Sequence, residues 1–356
     1  MQNDLIGASG FVRNCWYVAG RSEDFTQSLT AAKLLGDDIV IFRGENDEPI
    51  ALEDACPHRK LPLSKGSIQG STVVCGYHGL TFDCTGSCVA APTQDNAIPK
   101  RAVVRTYPVE DRWGFLWIWM GDADAANTDD IIDIPNFDNP TWGRTARGSM
   151  SMACNYLYIT DNLLDPSHVA WVHLTSFAGA GTDNRPLEME ESDDHVTIFR
   201  WISDEPPAPY YAPLLSFGPN CDRKQHYECR VPSTAINMSI YAPAGTGGQG
   251  KDLPEETFIN ISYNFITPVD EETSLYFWFQ HRNQHAGDGG IDKHMFEGAI
   301  MAFTEDKDVL EEVQRGMANR KSPYLNLGLD AGAMRFRSKV ARRIAGESDA
   351  PADSAA

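Results

Sequence analysis

The chain has 356 residues, enough for two domains with substantial cores. Apolar content of 42% argues against wholesale disorder, and 30 basic against 50 acidic residues give a net charge of −20, which disfavours nucleic acid and anionic membrane as partners. No basic stretch followed by an apolar core opens the chain and no apolar run reaches bilayer length, so the expectation is a cytoplasmic protein; eight cysteines in this length make no disulfide scaffold.

Short strand-forming stretches come first. Residues 38–44 (DIVIFRG) and 49–54 (PIALED) are β-branched and bounded by Gly, Asp and Asn, so they read as hairpin strands. Further strands are expected at 72–75, 80–83 and 102–108, then in the aromatic run GFLWIWMG at 114–121, a spacing that suits a small β-barrel or sandwich. Between them lie two loops, Cys56-Pro-His58 and Cys75-Gly-Tyr-His78, each offering one thiolate and one imidazole. Two cysteines and two histidines are the ligands of a Rieske [2Fe-2S] centre, a one-electron carrier. A structural zinc site uses the same residue types, but zinc knuckles usually pair Cys with Cys and His with His, whereas each loop here mixes them. Pro57, Gly76 and Gly79 permit tight turns and close backbone approach to the cluster. Cys84 and Cys88, with Gly86 between them, read as reduced thiols flanking a turn between two strands.

From CPHRKLPLSKG at 56–66 to CGYHGLTFDCTGSC at 75–88, the chain resembles the Rieske non-haem iron oxygenases, and residues 14–19 (NCWYVA) resemble the opening strand of that family's cluster domain. The composition shift over 121–141, acidic and Pro-containing, marks a domain boundary. The expected organisation is α+β: an all-β Rieske domain at 1–120, a catalytic iron domain at 121–345 with a mixed antiparallel sheet covered by helices, and a disordered tail at 346–356. In the second domain 145–160 and 194–202 read as strands, 155–175 holds a helix, and further strands run through 226–281. The loop GTGGQG at 245–250 satisfies G-x-G-x-x-G but opens no helix, so it reads as a flexible surface loop and not a nucleotide site. Electrons must then arrive from a separate reductase.

The segment Asp161-Asn-Leu-Leu-Asp165-Pro-Ser-His168-Val-Ala-Trp-Val-His173 contains D-x2-H-x4-H. Oxygen-activating mononuclear iron uses two histidines and one carboxylate on one face. A five-residue step on an ideal helix separates side chains by about 140°, so a distorted or freshly started helix is expected here. Residues 291–319 have helical periodicity, with Phe296, Ile300, Phe303, Val309, Leu310, Val313 and Met317 as the apolar stripe. Asp306 falls on that stripe, where an ionised carboxylate requires a metal or a cationic partner, while Glu305, Asp308 and Glu312 are expected in solvent. A second helix, basic along one side, is expected at 331–345.

The same segment resembles the iron-binding motif of the branch containing vanillate and dicamba O-demethylases, and FTEDKDVLEE at 303–312 resembles the element whose aspartate completes the triad. That resemblance implies His168, His173 and Asp306 as ligands of a mononuclear Fe(2+), beside a [2Fe-2S] cluster on Cys56, His58, Cys75 and His78. Asp165 has two readings, a helix cap followed by Pro166 or, as the resemblance implies, a bridge to His78 of a neighbouring subunit in a homotrimer. The implied cycle takes electrons from NAD(P)H through a flavin and iron–sulfur reductase and uses O2 to hydroxylate a methyl C–H, the hemiacetal collapsing to formaldehyde and a phenol. The expected substrate is a methoxylated aromatic acid, vanillate-like. Hydroxylation of an aromatic methyl group or N-demethylation would use the same irons. Arg230, in YECR at 227–230, is the expected carboxylate anchor, with an exposed strand arginine as the alternative. Asn264 stands where the dicamba-type enzyme has a substrate-contacting histidine. A Rieske electron carrier without catalysis is the rival from another class, and it predicts no additional iron.

Overall fold

The computed structural model describes residues 10–174, 177, 185–319, 321–322 and 324–348. It divides into two compact units, one of Gly10–Ile134 with Thr267–Asp270, the other of Pro135–Ile266 with the described residues from Glu271 onward. Among the described residues no helix is long and apolar enough to cross a membrane.

The first unit is all-β. Its strands are β1 (Trp16–Arg21), β2 (Thr30–Leu34), β3 (Asp37–Arg43), β4 (Pro49–Glu53), β5 (Ser67–Gln69), β6 (Thr72–Val74), β7 (Thr81–Phe82), β8 (Cys88–Ala90), β9 (Val109–Arg112) and β10 (Phe115–Trp119). They form three antiparallel sheets, β1-β10-β9, β2-β3-β4 and β5-β6-β7-β8. The expected strand at 102–108 is absent as such: Val103 bridges Ser87 while Thr106 bridges Leu52, so the segment changes partner before any ladder can form. One core cluster gathers Phe42, Leu52, Leu63, Val73, Phe82 and Val104 around Cys56 and Cys75, each only 2% exposed. All eight cysteines are free thiols.

The second unit is built on one antiparallel sheet of eight strands: β11 (Gly143–Arg144), β12 (Gly148–Met152), β13 (Glu188–Glu191), β14 (His195–Glu205), β15 (Cys221–Arg230), β16 (Thr234–Pro243), β17 (Phe258–Pro268) and β18 (Ser274–Arg282). The order is β11-β18-β17-β16-β15-β14-β13, with β12 also on β18. Among the described residues four helices accompany it: α1 (Tyr156–Leu163), α2 (Val169–Val172), α3 (Gly289–Met317) and α4 (Ala331–Ser348). Helix α1 packs on β15 and β16, α3 on β12 and β18, and α4 on β14. The strand expected over 145–160 stops at Met152, because Asn155 turns its side chain onto the Leu157 N–H and caps α1. Loop 245–250 opens no helix, and Gly247 is buried, its N–H donating to Asp222 Oδ2 at 2.9 Å. Of the expected tail, residues 346–348 belong to α4 and 349–356 lie outside the described residues.

Helix α3 buries a different stripe from the one expected. Met295, Ala299, Ala302, Asp306 and Leu310 face inward, whereas Ile300, Val309 and Val313 are 39–41% exposed. Small residues let the helix approach closely: a Cβ on Gly298 would stand 2.2 Å from the Tyr210 ring. The large apolar side chains are therefore pushed to the flanks of the contact.

Backbone crowding also fixes the first unit where the two Cys/His loops meet. A Cβ on Gly66 would lie 2.1 Å from the carbonyl oxygen of Val74, the residue before Cys75. Gly66→Ala must displace that strand, so it should destabilise the unit by about 1–3 kcal/mol and lower the iron content bound by the first unit. Iron and sulfide analysis with the visible absorption of the purified variant checks this.

Candidate metal centres and cavity

The two loops of the first unit have the same backbone design. The Cys56 carbonyl accepts from Lys60 N–H at 2.8 Å and the Cys56 N–H donates to Leu61 O at 2.9 Å; Cys75 repeats this with Gly79 at 3.1 Å and Leu80 at 2.8 Å. The fifth residue of each loop, Lys60 (φ 57°) or Gly79 (φ 71°), is left-handed. Burial first, then the neighbouring Cys75 thiol, pushes Cys56 up to about 11. His58 and His78 face each other through Nδ1 atoms 3.2 Å apart. Two thiols set in the core opposite two like ring nitrogens form a divided donor set, sulfur on one side and nitrogen on the other, which fits a [2Fe-2S] cluster. The histidine end is the accessible one, with Tyr77 53% exposed beside His78.

In the second unit, the predicted helical irregularity is a break. Helix α1 ends at Leu163, and the single turn α2 begins after His168 and ends before His173, so the two histidines flank it instead of sharing a helical face. The ligand atoms of His168, His173 and Asp306 lie within 4.8 Å of one another. His173 Nε2 is 3.2 Å and His168 Nε2 3.6 Å from Asp306 Oδ1. Each imidazole is held from behind: His168 Nδ1–H donates to the Asp165 carbonyl, and His173 Nδ1–H donates to Glu305 Oε2 at 2.8 Å. Because both partners are pure acceptors, each Nδ1 carries a proton, which would leave each Nε2 to turn a lone pair to a bound metal ion. Two imidazole nitrogens and a carboxylate oxygen gathered within 4.8 Å are a donor set that fits ferrous iron. Burial pulls His168 below its ordinary value despite the Asp306 and Asp165 charges; for His173 burial is outweighed by the hydrogen bonds and charges of Asp306 and Glu305, which hold it higher. Asn162 Nδ2 also donates to Asp306 Oδ1, at 3.2 Å.

Glu305 and Asn162 contact the triad, which was not expected of either. Glu305 was expected in solvent with Asp308 and Glu312; those two are exposed, but Glu305 folds back onto His173. Its position directly before Asp306 is the available signal.

A cavity of about 100 Å³ opens on the triad. Apart from Asn162 and the triad itself, the side opposite the sheet is apolar, formed by Leu163, Val169, Ala299, Ala302 and Phe303 of the helices together with Phe177. Its sheet side carries Asn237, Ser239, Asn260, Ser262, Asn264 and Gln280, at alternating positions of β16, β17 and β18, with Tyr211 and Tyr227. Asn264 is therefore in the wall, buried, with Nδ2 donating to Asn237 Oδ1 and Ser262 O, and Oδ1 accepting from Tyr276 OH at 2.9 Å.

Arg230 is not in the wall, which corrects its expected role as carboxylate anchor. Tyr227 on β15 faces the cavity, so the side chain three residues on emerges from the opposite face. There Arg230 Nε donates to Glu228 Oε1 at 2.5 Å. The Glu228 carboxyl is raised by burial but lowered more by hydrogen bonds from His226 and Arg230, and is held down at about 2. Asp165 does not cap a helix in the manner expected either. Its Oδ1 accepts from the Ser167 N–H at 2.7 Å, but α2 starts only at Val169 and Pro166 lies in the preceding turn. The Asp165 side chain lines a second cavity of about 220 Å³ together with His168, Tyr158 and Asp161.

Residues 15–108 match the Rieske [2Fe-2S] domain, and residues 152–346 match the vanillate O-demethylase oxygenase C-terminal domain. A toluene-4-sulfonate monooxygenase system iron-sulfur subunit of Comamonas testosteroni is 33% identical, over 95% of this chain and 98% of its own. A vanillate O-demethylase oxygenase subunit of a Pseudomonas species is 32% identical, over 96% and 97% respectively. The crystal structure of dicamba monooxygenase bound to 3,6-dichlorosalicylic acid superimposes with a TM-score of 0.87 at 27% identity, covering 96% of this chain and 100% of that one, and a further structure of that enzyme contains non-haem iron and dicamba.

The carboxylate behind His173 should tune metal binding. Glu305→Gln keeps the shape but weakens the hold on the Nδ1 proton, and iron affinity of the second unit should fall about 10–100-fold. Competition with a chelator, read as iron per chain, measures the change; unaltered affinity would mean that Glu305 only covers the ring.

Proposed function

Since the chain belongs to the Rieske non-haem iron monooxygenases, as an oxygenase component of the vanillate O-demethylase type, we propose that it removes the methyl group of a methoxylated aromatic compound as formaldehyde. The observation that carries this reading is the two-sided cavity ending on the triad, apolar on the helical side and hydrogen-bonding on the sheet side, a shape suited to a substituted aromatic ring. Cys56, Cys75, His58 and His78 would hold the cluster, and His168, His173 and Asp306 the mononuclear iron. When bound, these groups supply one-electron transfer and the activation of dioxygen.

The chain's own residues set the conditions for that chemistry. Phe303, packed on Tyr276 and Trp278 with ring centroids 4.9 and 5.0 Å away, gives the apolar wall a rigid backing. Ala299 and Ala302 leave the space in which a ring can lie. The Asp165 carbonyl and Glu305 keep each Nδ1 protonated, so Nε2 stays a lone-pair donor, while Asn162 orients Asp306. Exclusion of water by these walls protects a reactive oxidant from being spent without substrate.

As an oxygenase component the chain works with a separate reductase; a flavin and iron–sulfur protein oxidising NAD(P)H is the partner this reading takes. The chain would assemble as a homotrimer in which His78 of one subunit reaches Asp165 of the next. In support, the histidine end of the cluster loops is accessible and Asp165 is only half-buried. A second reading, hydroxylation of an aryl methyl group, is favoured by the toluene-4-sulfonate relative. The two diverge only in the fate of the hydroxylated carbon: an aryl hemiacetal releases formaldehyde, a benzylic alcohol persists.

Turnover of methoxy- and methylarenes with a matched reductase, read for formaldehyde and for benzylic alcohols, tests the proposal. Formaldehyde in step with O2 consumption is expected, and Asp165→Asn should cut the rate at least about 100-fold while both metal contents stay normal. Benzylic alcohol as the sole product would establish the second reading instead.

A further inference from the structure

The carbonyls at the end of helix α1 find their donors one by one. Those of Thr160 and Asp161 accept from Leu164 N–H at 3.1 and 3.2 Å, and that of Asn162 accepts from Asp165 N–H at 3.0 Å. Leu163 is next. In a continuing helix its carbonyl would accept from the N–H four residues on, that of Ser167. Here Ser167 N–H donates to Asp165 Oδ1 at 2.7 Å instead, and Pro166 has no N–H to offer. The Leu163 carbonyl, in a residue only 6% exposed, is taken up from the sheet: Asn237 Nδ2 on β16 donates to it at 3.0 Å.

The direction of that bond is fixed by its surroundings. A backbone carbonyl can only accept, so Asn237 must turn its NH2 to Leu163 and its Oδ1 the other way, where Asn264 Nδ2 donates to it at 3.2 Å. Asn264 is oriented by the same rule, since its Nδ2 also meets the carbonyls of Ser262 at 3.0 Å and Ala235 at 3.3 Å, while its Oδ1 accepts from Tyr276 OH at 2.9 Å. A directed chain of hydrogen bonds thus runs from Tyr276 through Asn264 and Asn237 to the end of α1. Arg200 on β14 adds a second hold on the same stretch, its Nη2 donating to the Pro166 carbonyl at 3.4 Å.

We propose that Asn237, although it lines the cavity, is a positioning residue for the metal site: it stands in for the missing helical donor at Leu163 and so keeps open the break that aims His168. Without it the Leu163 carbonyl is a buried acceptor lacking its donor, and the group that helical geometry offers in exchange is Ser167 N–H. Taking that bond back releases the Asp165 carboxylate and rewinds the chain directly before His168, whose Nδ1–H is held by the Asp165 carbonyl. The inference rests on reading His168, His173 and Asp306 as the iron site, and is independent of which methyl group is attacked.

Metal binding in the absence of substrate separates this role from contact with a substrate. Asn237→Leu removes the donor at similar shape. Loss of the mononuclear iron to a chelator, referred to the sulfide of the cluster, should become easier by about tenfold or more, and the electron paramagnetic resonance of the ferrous site with nitric oxide should change in rhombicity or split into two forms. Asn237→Gln keeps both donor and acceptor, so it should return the affinity to within about threefold of the unaltered chain and restore a single signal. Asn237→Ala, which places no branch against Asn264, decides the matter if the leucine variant does not fold, with circular dichroism as the fold control. Iron affinity and nitric oxide signal unchanged in the leucine and alanine variants would confine Asn237 to the cavity wall and overturn the inference. Equal losses in the leucine and glutamine variants would do the same, because shape and not the bond would then be the cause. An unaltered chain that binds no iron beyond its cluster would overturn the reading of the triad and this inference together.

Discussion

The Asp306 carboxylate, buried and facing the Nε2 atoms of two imidazoles, is the constraint on which the second unit depends. Without a positive charge beside it, a carboxylate buried in a low-dielectric site is left uncompensated, and the fold would lose stability by closing around it. The structure closes nonetheless because every neighbouring group is arranged to keep the acceptors pointing inward. Asn162 on α1 reaches Asp306 on α3, Glu305 holds His173, and the Asp165 backbone holds His168. Helix α1 is itself tied to α4, where Arg337 Nε donates to both carboxylate oxygens of Asp161 at 3.0 Å. A site so organised calls for a positive charge, and the convergence of two Nε2 atoms with one carboxylate fits a metal ion there.

The cluster site is solved by local means. Each loop closes on itself through a pair of hydrogen bonds from and to its cysteine, with a left-handed fifth residue reversing the chain. Such loops are legible in sequence because nearly everything they need is contained in six residues, CPHRKL and CGYHGL. Lys60 shows the limit of that legibility: it occupies the left-handed position that Gly79 fills in the partner loop, and only the repeated hydrogen-bond pattern reveals it.

Long-range placement was less legible. Strand β17, FINISYNFITP, alternates apolar and polar residues, and the ordinary expectation is that the polar ones face water. Here Asn260 and Asn264 are each 1% exposed, while Ile259 and Ile261 on the other side are only half-buried. The parity of a strand says which residues share a face but not which face is covered, and the same ambiguity hid the misplacement of Arg230. Helix α3 misled in another way. Ranking by size favours Phe296, Ile300 and Val309, but the close approach to the sheet selects Ala299 and Ala302, and Asp306 rides on that narrow stripe. The Asp306 position was legible because a lone carboxylate three residues from one apolar side chain and four from another is placed by helical geometry whichever stripe is chosen.

The five-residue spacing of the histidines follows from the same economy. On a continuous helix His168 and His173 would diverge by about 140°. Breaking the helix puts one histidine before and one after a single turn, with His173 leaving helical geometry at φ −102° and ψ 44°. The rings then meet edge to face at 74° with centroids 5.2 Å apart, converging on Asp306 from different directions. The cavity that opens on the triad lies between a largely apolar helical wall and a sheet of uncharged hydrogen-bonding groups. The break also supplies the carbonyl of Asp165, which a continuing helix would have tied up within its own ladder, to fix the tautomer of His168. One interruption of the chain therefore sets the angle of both imidazoles, the proton of one of them, and the open face on which a substrate can be held.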